Sequence, residues 1–161
     1  MACIIEFNEE DLEEPFVGTI KINGETLMDR NTEHWEPQDL RNKIDKHEKL
    51  GEKCVIRSVE MQGVSGSKIV IDELIDFMGR NIKKGKLKKL VMDIAPHKDL
   101  DGLTPVVFKT LAAKCTKLER FELYGTARLE NPQPREVLHD FFVAVLDACD
   151  NAGTLEDIRL S

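Results

Sequence analysis

Apolar residues recur along the chain at positions one, four and six of a short segment, and this spacing appears five times. Val17, Ile20 and Ile22 show it first, followed by Ile56, Val59 and Met61, by Leu87, Leu90 and Met92, by Leu118, Phe121 and Leu123, and by Leu155, Ile158 and Leu160. Between the last two apolar positions the residues are polar in most copies, as in Arg120-Phe121-Glu122-Leu123-Tyr124 and Asp157-Ile158-Arg159-Leu160. Alternation of this kind predicts a strand with one buried and one open face. Counted from Val17, Ile56, Leu87, Leu118 and Leu155, the copies stand 39, 31, 31 and 37 residues apart. That interval accommodates a strand and a crossover helix, so the chain reads as a repeating βα array.

The segments between the strands have helical character. Ile71, Leu74, Ile75, Met78 and Ile82 fall on one helical face. The next unit offers Thr104 as a cap, Pro105 at the first helical position, and Leu103 with Phe108 as a hydrophobic staple. Its inner face holds Phe108, Leu111, Ala112 and Cys115. A fourth helix is predicted to open at Pro134 and to bury Leu138, Phe141, Phe142, Val145, Leu146 and Cys149. The first helix is predicted from about Pro37, with Trp35 stapled on Leu40 and with Ile44 and Leu50 as anchors.

Helices on both faces of a sheet would make its strands continuous apolar runs, whereas these alternate. The prediction is therefore an α/β fold with helices on one face only: a short right-handed solenoid of five parallel strands and four helices. Residues 1–15 carry Glu6, Glu9, Glu10, Asp11, Glu13 and Glu14 without a base, and read as an acidic N-terminal cap on repeats spanning 16–161. With 161 residues, 41% hydrophobic and 33% charged, the chain is sized as one domain that needs neither disulfides nor a metal. No apolar run reaches the roughly 18 residues of a membrane span, and the start lacks the basic flank of a secretory signal. The expectation is a cytoplasmic protein without membrane insertion.

The segment Leu111-Ala112-Ala113-Lys114-Cys115-Thr116-Lys117-Leu118-Glu119-Arg120-Phe121-Glu122-Leu123, together with the five strands, resembles the leucine-rich-repeat proteins. The similarity is to the ribonuclease-inhibitor-like kind, with a full helix in each repeat. It implies a horseshoe whose concave sheet face and bordering loops hold other proteins. The family places Asn or Cys three residues after the last strand leucine. In this chain those positions hold Glu25, Val64, Ala95 and Thr126, so the turns must be satisfied in another way.

Aligning the five strands sets three rows of side chains on the open face. The first is Thr19, Ser58, Lys89, Arg120, Asp157; the second Lys21, Glu60, Val91, Glu122, Arg159; the third Asn23, Gln62, Asp93, Tyr124, Ser161. Lys21 with Glu60, Arg120 with Asp157, and Glu122 with Arg159 are set to pair across strands, each worth about 0.2 to 1 kcal/mol. Candidate partner-binding residues are Lys89, Val91, Asp93, Arg120, Glu122, Tyr124, Asp157 and Arg159. Tyr124, Arg120 and Arg159 lead, because aromatic and guanidinium side chains dominate interface hot spots. The last strand is expected to present an open edge, either to another chain, including a homodimer, or because the sequence is a piece of a longer protein.

Net charge adds a second possibility. At −7 overall the chain disfavours nucleic acid, yet residues 80–89 hold six bases in ten. Lys83, Lys84, Lys86, Lys88 and Lys89 could receive an anionic ligand such as a phosphoinositide head or RNA, although cations at a helix C-terminus also complement its dipole. The loop Gly63 to Lys68 lacks the spacing of a nucleotide-binding loop. Catalysis is not expected: His34, His47, His97 and His139 are scattered through four units, and Cys115 and Cys149 sit on inner faces. Cys54, flanked by Lys53 and Arg57, is the one thiol with an electropositive setting. No cofactor or metal ligand set is expected.

Overall fold

The computed structural model describes residues 5–9, 16–23, 41–42, 44–45, 48, 50–64, 68–94 and 100–161. Its strands are β1 (Ile5–Glu9), β2 (Phe16–Asn23), β3 (Cys54–Val64), β4 (Lys89–Ile94), β5 (Arg120–Tyr124) and β6 (Asp157–Leu160). The helices are α1 (Leu50–Lys53), α2 (Lys68–Asn81), α3 (Pro105–Lys114) and α4 (Pro132–Cys149), with a 3-10 turn at Thr126–Arg128. The chain is thus α/β. Strands β3 to β6 are parallel neighbours joined by α2, α3 and α4, and the sheet continues through β2 to β1 in sequential order.

Sequential order has a direct consequence. Right-handed crossovers between neighbouring parallel strands all deliver their helices to the same side. Accordingly α2 packs on α3 and α3 on α4. Beneath them β4 buries Leu90, Met92 and Ile94 while Lys89, Val91 and Asp93 alternate to the other face. The helix side forms one apolar core. All five residues of the stripe predicted for α2, namely Ile71, Leu74, Ile75, Met78 and Ile82, are buried, and so is Phe77. Phe108 and Phe141 meet edge-on at 5.4 Å, while Phe121 lies edge-on to Phe141 and stacked on Phe142. These rings contribute orientation-dependent attraction beyond their buried area.

Several local expectations are corrected. The sheet has a sixth strand, β1, which lies inside the segment read as an acidic cap and runs antiparallel to β2, with Phe7 opposite Ile20. Its alternation, Ile5 and Phe7 against Glu6 and Asn8, is short and hidden among carboxylates. Helix α4 opens at Pro132 behind Asn131, two residues before the expected Pro134. Both prolines fit, because amides in the first helical turn have no carbonyl to meet. Leu146 and Phe142 are half-buried rather than enclosed. The first helix is seen as helical backbone at 41–42 and 44–45 and then as α1; its start and the Trp35 staple lie outside the described residues.

The units are tied by polar contacts that each reach one unit along. Asp72 of α2 accepts from the backbone N–H (3.0 Å) and the hydroxyl (2.8 Å) of Thr104. Thr104 does stand at the helix cap, but its hydroxyl is spent on Asp72 and not on its own helix. In α4, Gln133 accepts from the Gly102 N–H at 2.9 Å and donates to the Leu103 carbonyl at 3.0 Å. At the opposite ends of the helices, Lys114 donates to the Ile82 carbonyl, Cys149 to the Cys115 carbonyl and Thr154 to the Leu118 carbonyl. These contacts join the loops and helix ends of neighbouring units.

Gly125 closes β5. It has φ +98°, a region costly for side chains, and a Cβ there would overlap the carbonyl oxygen of Ile94 at the end of β4. The turn sends Thr126 toward β6, where its N–H and hydroxyl both bond the Ser161 carbonyl at 3.0 Å.

Candidate interaction surface on the sheet

Strand pairing brings the candidate residues into rows on the helix-free face. Thr19 pairs with Ser58, Ser58 with Lys89, Lys89 with Arg120, and Arg120 with Asp157. In the next row Lys21 pairs with Glu60, Glu60 with Val91, Val91 with Glu122, and Glu122 with Arg159. Asp93 lies beside Tyr124. One-residue alternation in a strand is sufficient to place those of β3 to β6 on the same side.

Glu122 organises the centre. Its side chain is only 3% exposed, although it lies on the face of β5 away from the described helices. Neighbouring long side chains do the covering. Arg120 approaches the carboxylate through Nε and Nη2, with a closest distance of 3.0 Å; Tyr124 donates its hydroxyl at 2.9 Å; and Arg159 Nε stands 3.3 Å away. Asp157 completes the group, 3.7 Å from Arg120 and 3.5 Å from Arg159. The expected pairs of Arg120 with Asp157 and of Glu122 with Arg159 are thus present as parts of a single network, in which Arg120 also serves Glu122 along its own strand.

Burial alone would push the Glu122 carboxyl up. The hydrogen bonds from Arg120 and Tyr124, helped by the charges of Arg120 and Arg159, outweigh it and hold the carboxyl below its ordinary value. Tyr124 moves the opposite way: desolvation and its hydrogen bond to the carboxylate both favour the neutral phenol. The centre is therefore an anion held by hydrogen bonds from Arg120 and Tyr124 and by the nearby charge of Arg159. Both guanidinium groups remain substantially open to solvent, Arg120 at 44% and Arg159 at 61%.

Elsewhere on this face Lys89 pairs with Glu60, the carboxylate that straight cross-strand pairing assigns to Lys21; the Lys21 side chain lies outside the described residues. Glu60 sits in the second row next to Val91, diagonal to Lys89, and a long side chain's diagonal reach is what straight pairing overlooks. Asp93 keeps one buried oxygen without a hydrogen-bond partner among the described residues.

The basic stretch does not converge on one place. Lys83, Lys84 and Lys86 are exposed on the turn after α2, Lys88 is half-buried with its N–H bonded to the Arg57 carbonyl, and Lys89 belongs to the sheet face. Arg80 is engaged by Asp76 within α2. A cleft of about 260 Å³ beside this turn mixes Glu48, Glu52, Arg80, Lys83 and Lys114, and a groove of about 270 Å³ between α2 and α3 is lined by Lys68, Ile69, Asp72, Glu73, Asp76 and Val107.

Among the described residues no group of three His, Cys, Asp or Glu side chains is placed to hold a metal ion. Cys115 is buried, and burial with Cys149 nearby pushes its thiol up to about 12. Burial also raises Cys149, against a backbone hydrogen bond from Leu118. His139 lies exposed on α4, and the Cys54 side chain, His34, His47 and His97 fall outside the described residues, as do positions 65–67 of the Gly63 to Lys68 loop. No described helix is long and apolar enough to cross a membrane. Comparison with protein-family models, with curated proteins and with solved structures found no match to this chain.

Proposed function

We propose that the chain is a short solenoid of leucine-rich-repeat type that acts without catalysis, holding a protein partner on the helix-free face of its sheet. The observation that carries this reading is the Glu122 centre. A buried carboxylate fixes Arg120, Arg159 and Tyr124 in place while leaving both guanidinium groups largely open. Side chains already held in one arrangement lose less freedom when a partner docks, and these residue types supply most binding energy at protein interfaces. Lys89, Val91, Asp93 and Asp157 surround them in adjoining strands and complete the surface. Sequential strand order, helices packed side by side, and polar ties one unit long support the solenoid.

The test is affinity capture on the immobilised full chain, run in parallel with the double variant Arg120→Ala/Tyr124→Ala and the triple variant Lys83→Ala/Lys84→Ala/Lys86→Ala. Proteins retained by the parent and by the triple variant, and lost from the double variant, mark the sheet face as the docking site. Retention lost only in the triple variant, with steep salt dependence, would replace this reading by recognition of an anion at the basic turn.

A further inference from the structure

Asp101-Gly102 is a dipeptide that can rearrange without an enzyme. With no side chain on the second residue to obstruct it, the Gly102 nitrogen can attack Cγ of Asp101. The N–H proton and the carboxyl hydroxyl leave together as water, and a cyclic imide forms. Water then adds back. Opening the Cγ–N bond restores the aspartate, whereas opening the bond from the nitrogen to the main-chain carbonyl carbon leaves the chain running through Cβ and Cγ. Atoms balance without an oxidant or a cofactor. The sequence holds one other dipeptide of this kind, Asn23-Gly24, and Gly24 lies outside the described residues. Asp101 and Gly102 are both exposed, so burial does not shield them.

What surrounds them is the start of α4. Gly102 donates its N–H to Gln133 Oε1 at 2.9 Å, and Asp101 Oδ2 accepts from Asn131 Nδ2 at 2.9 Å. Gln133 is itself fixed by donating to the Leu103 carbonyl at 3.0 Å. From α2, Lys68 Cδ stands 3.4 Å from where a Cβ on Gly102 would be, and Gly102 has φ +86°. Asn131 occupies the N-cap of α4 yet makes no side-chain bond to its own helix. An Asn at that position ordinarily spends its oxygen on the first turn. Attack on Cγ requires the Gly102 nitrogen to leave its acceptor and the Asp101 carboxyl to swing over it. Gln133 opposes the first motion and Asn131 the second.

We propose that Asn131 and Gln133 guard Asp101-Gly102 against isomerisation, making the dipeptide a modification site that opens only when the start of α4 leaves this loop. Isomerisation would add a carbon to the main chain just before Leu103, which is buried, and Thr104, which bonds Asp72. The modified loop would no longer match the contacts that tie α3 to both neighbours.

The full chain is incubated for weeks in mildly acidic buffer at physiological temperature and digested with trypsin. Isoaspartate is then quantified in the peptide 99–109 against a synthetic standard, with a zero-time sample subtracted. The free peptide of the same sequence sets the unguarded rate. The native chain is expected to isomerise about tenfold to a hundredfold more slowly, as befits a nitrogen and a carbon held out of attacking geometry. Gln133→Met removes both hydrogen bonds at nearly constant size and is expected to raise the native rate about two- to tenfold, the factor one hydrogen bond supplies. Gln133→Glu keeps an acceptor for the Gly102 N–H and is expected to stay close to the parent. Asn131→Ala frees the carboxyl alone and is expected to raise the rate as well, so the test stands even if circular dichroism shows that Gln133→Met has lost its fold. A native chain that isomerises at the peptide's rate, folded Gln133→Met and Asn131→Ala variants no faster than the parent, or a Gln133→Glu variant as fast as Gln133→Met would each overturn the proposal.

Discussion

Replacing Gly125 by Ala isolates the cost of a close backbone approach. Two contributions are separable because Gly153 supplies a control: its φ is +62°, and a Cβ there meets nothing within 4 Å. Ala at either position costs about 1–2 kcal/mol for the left-handed conformation. Narrowing the unfolded ensemble returns about 0.4–1 kcal/mol of that. Gly153→Ala should therefore destabilise by about 1 kcal/mol. Gly125→Ala must in addition displace the Ile94 carbonyl, which ends β4, or shift the turn that holds Thr126 on Ser161. Overpacking of this kind adds about 1–3 kcal/mol, giving a total of about 2–4 kcal/mol. Urea unfolding followed by circular dichroism measures both variants, with the slope checked for constancy. If the two midpoints fall together, Gly125 does not lie against Ile94 and the close approach of the β5 turn to the end of β4 is refuted.

Glu122→Gln should cost about 1–2 kcal/mol at neutral pH, reduced from the value for an enclosed pair because both arginines are open to water. Since folding holds the Glu122 carboxyl below its ordinary 4.5, the parent's advantage is complete above that value and disappears as pH falls through the lower folded one, so unfolding curves of parent and variant should converge only in acid. Asp72→Ala leaves two donors of Thr104 unmet and should cost about 1–2 kcal/mol, with faster amide exchange at Thr104 as the local sign; unchanged exchange there would remove Asp72 as the tie. In a background with Cys3 and Cys54 changed to Ser, the native chain should react negligibly with a thiol reagent at pH 8, and denaturant should release two thiols, because Cys115 at about 12 holds only ~10⁻⁴ thiolate there.

The strands are legible in the sequence because alternation is a local property, and so the register across β3 to β6 follows from the apolar positions alone. The inner faces of α2 and α3 are legible for the same reason. What escapes is whatever depends on reach. Glu60 turns diagonally to Lys89, and Thr104 gives its hydroxyl to a carboxylate 32 positions earlier. In sequence Glu122 is one of several charges on an open face; its burial arises from three neighbours closing over it, two on its own strand and one on the next. β1 is hard to find because five residues of alternation are a weak signal beside a run of carboxylates.

The polar ties have a mechanical meaning. Asp72 to Thr104, Gln133 to Leu103 and Cys149 to Cys115 all bridge a distance of one unit and none spans two. Each clasp adds to the sheet and core that already join neighbouring units, so a change at one clasp acts first on the two units it connects.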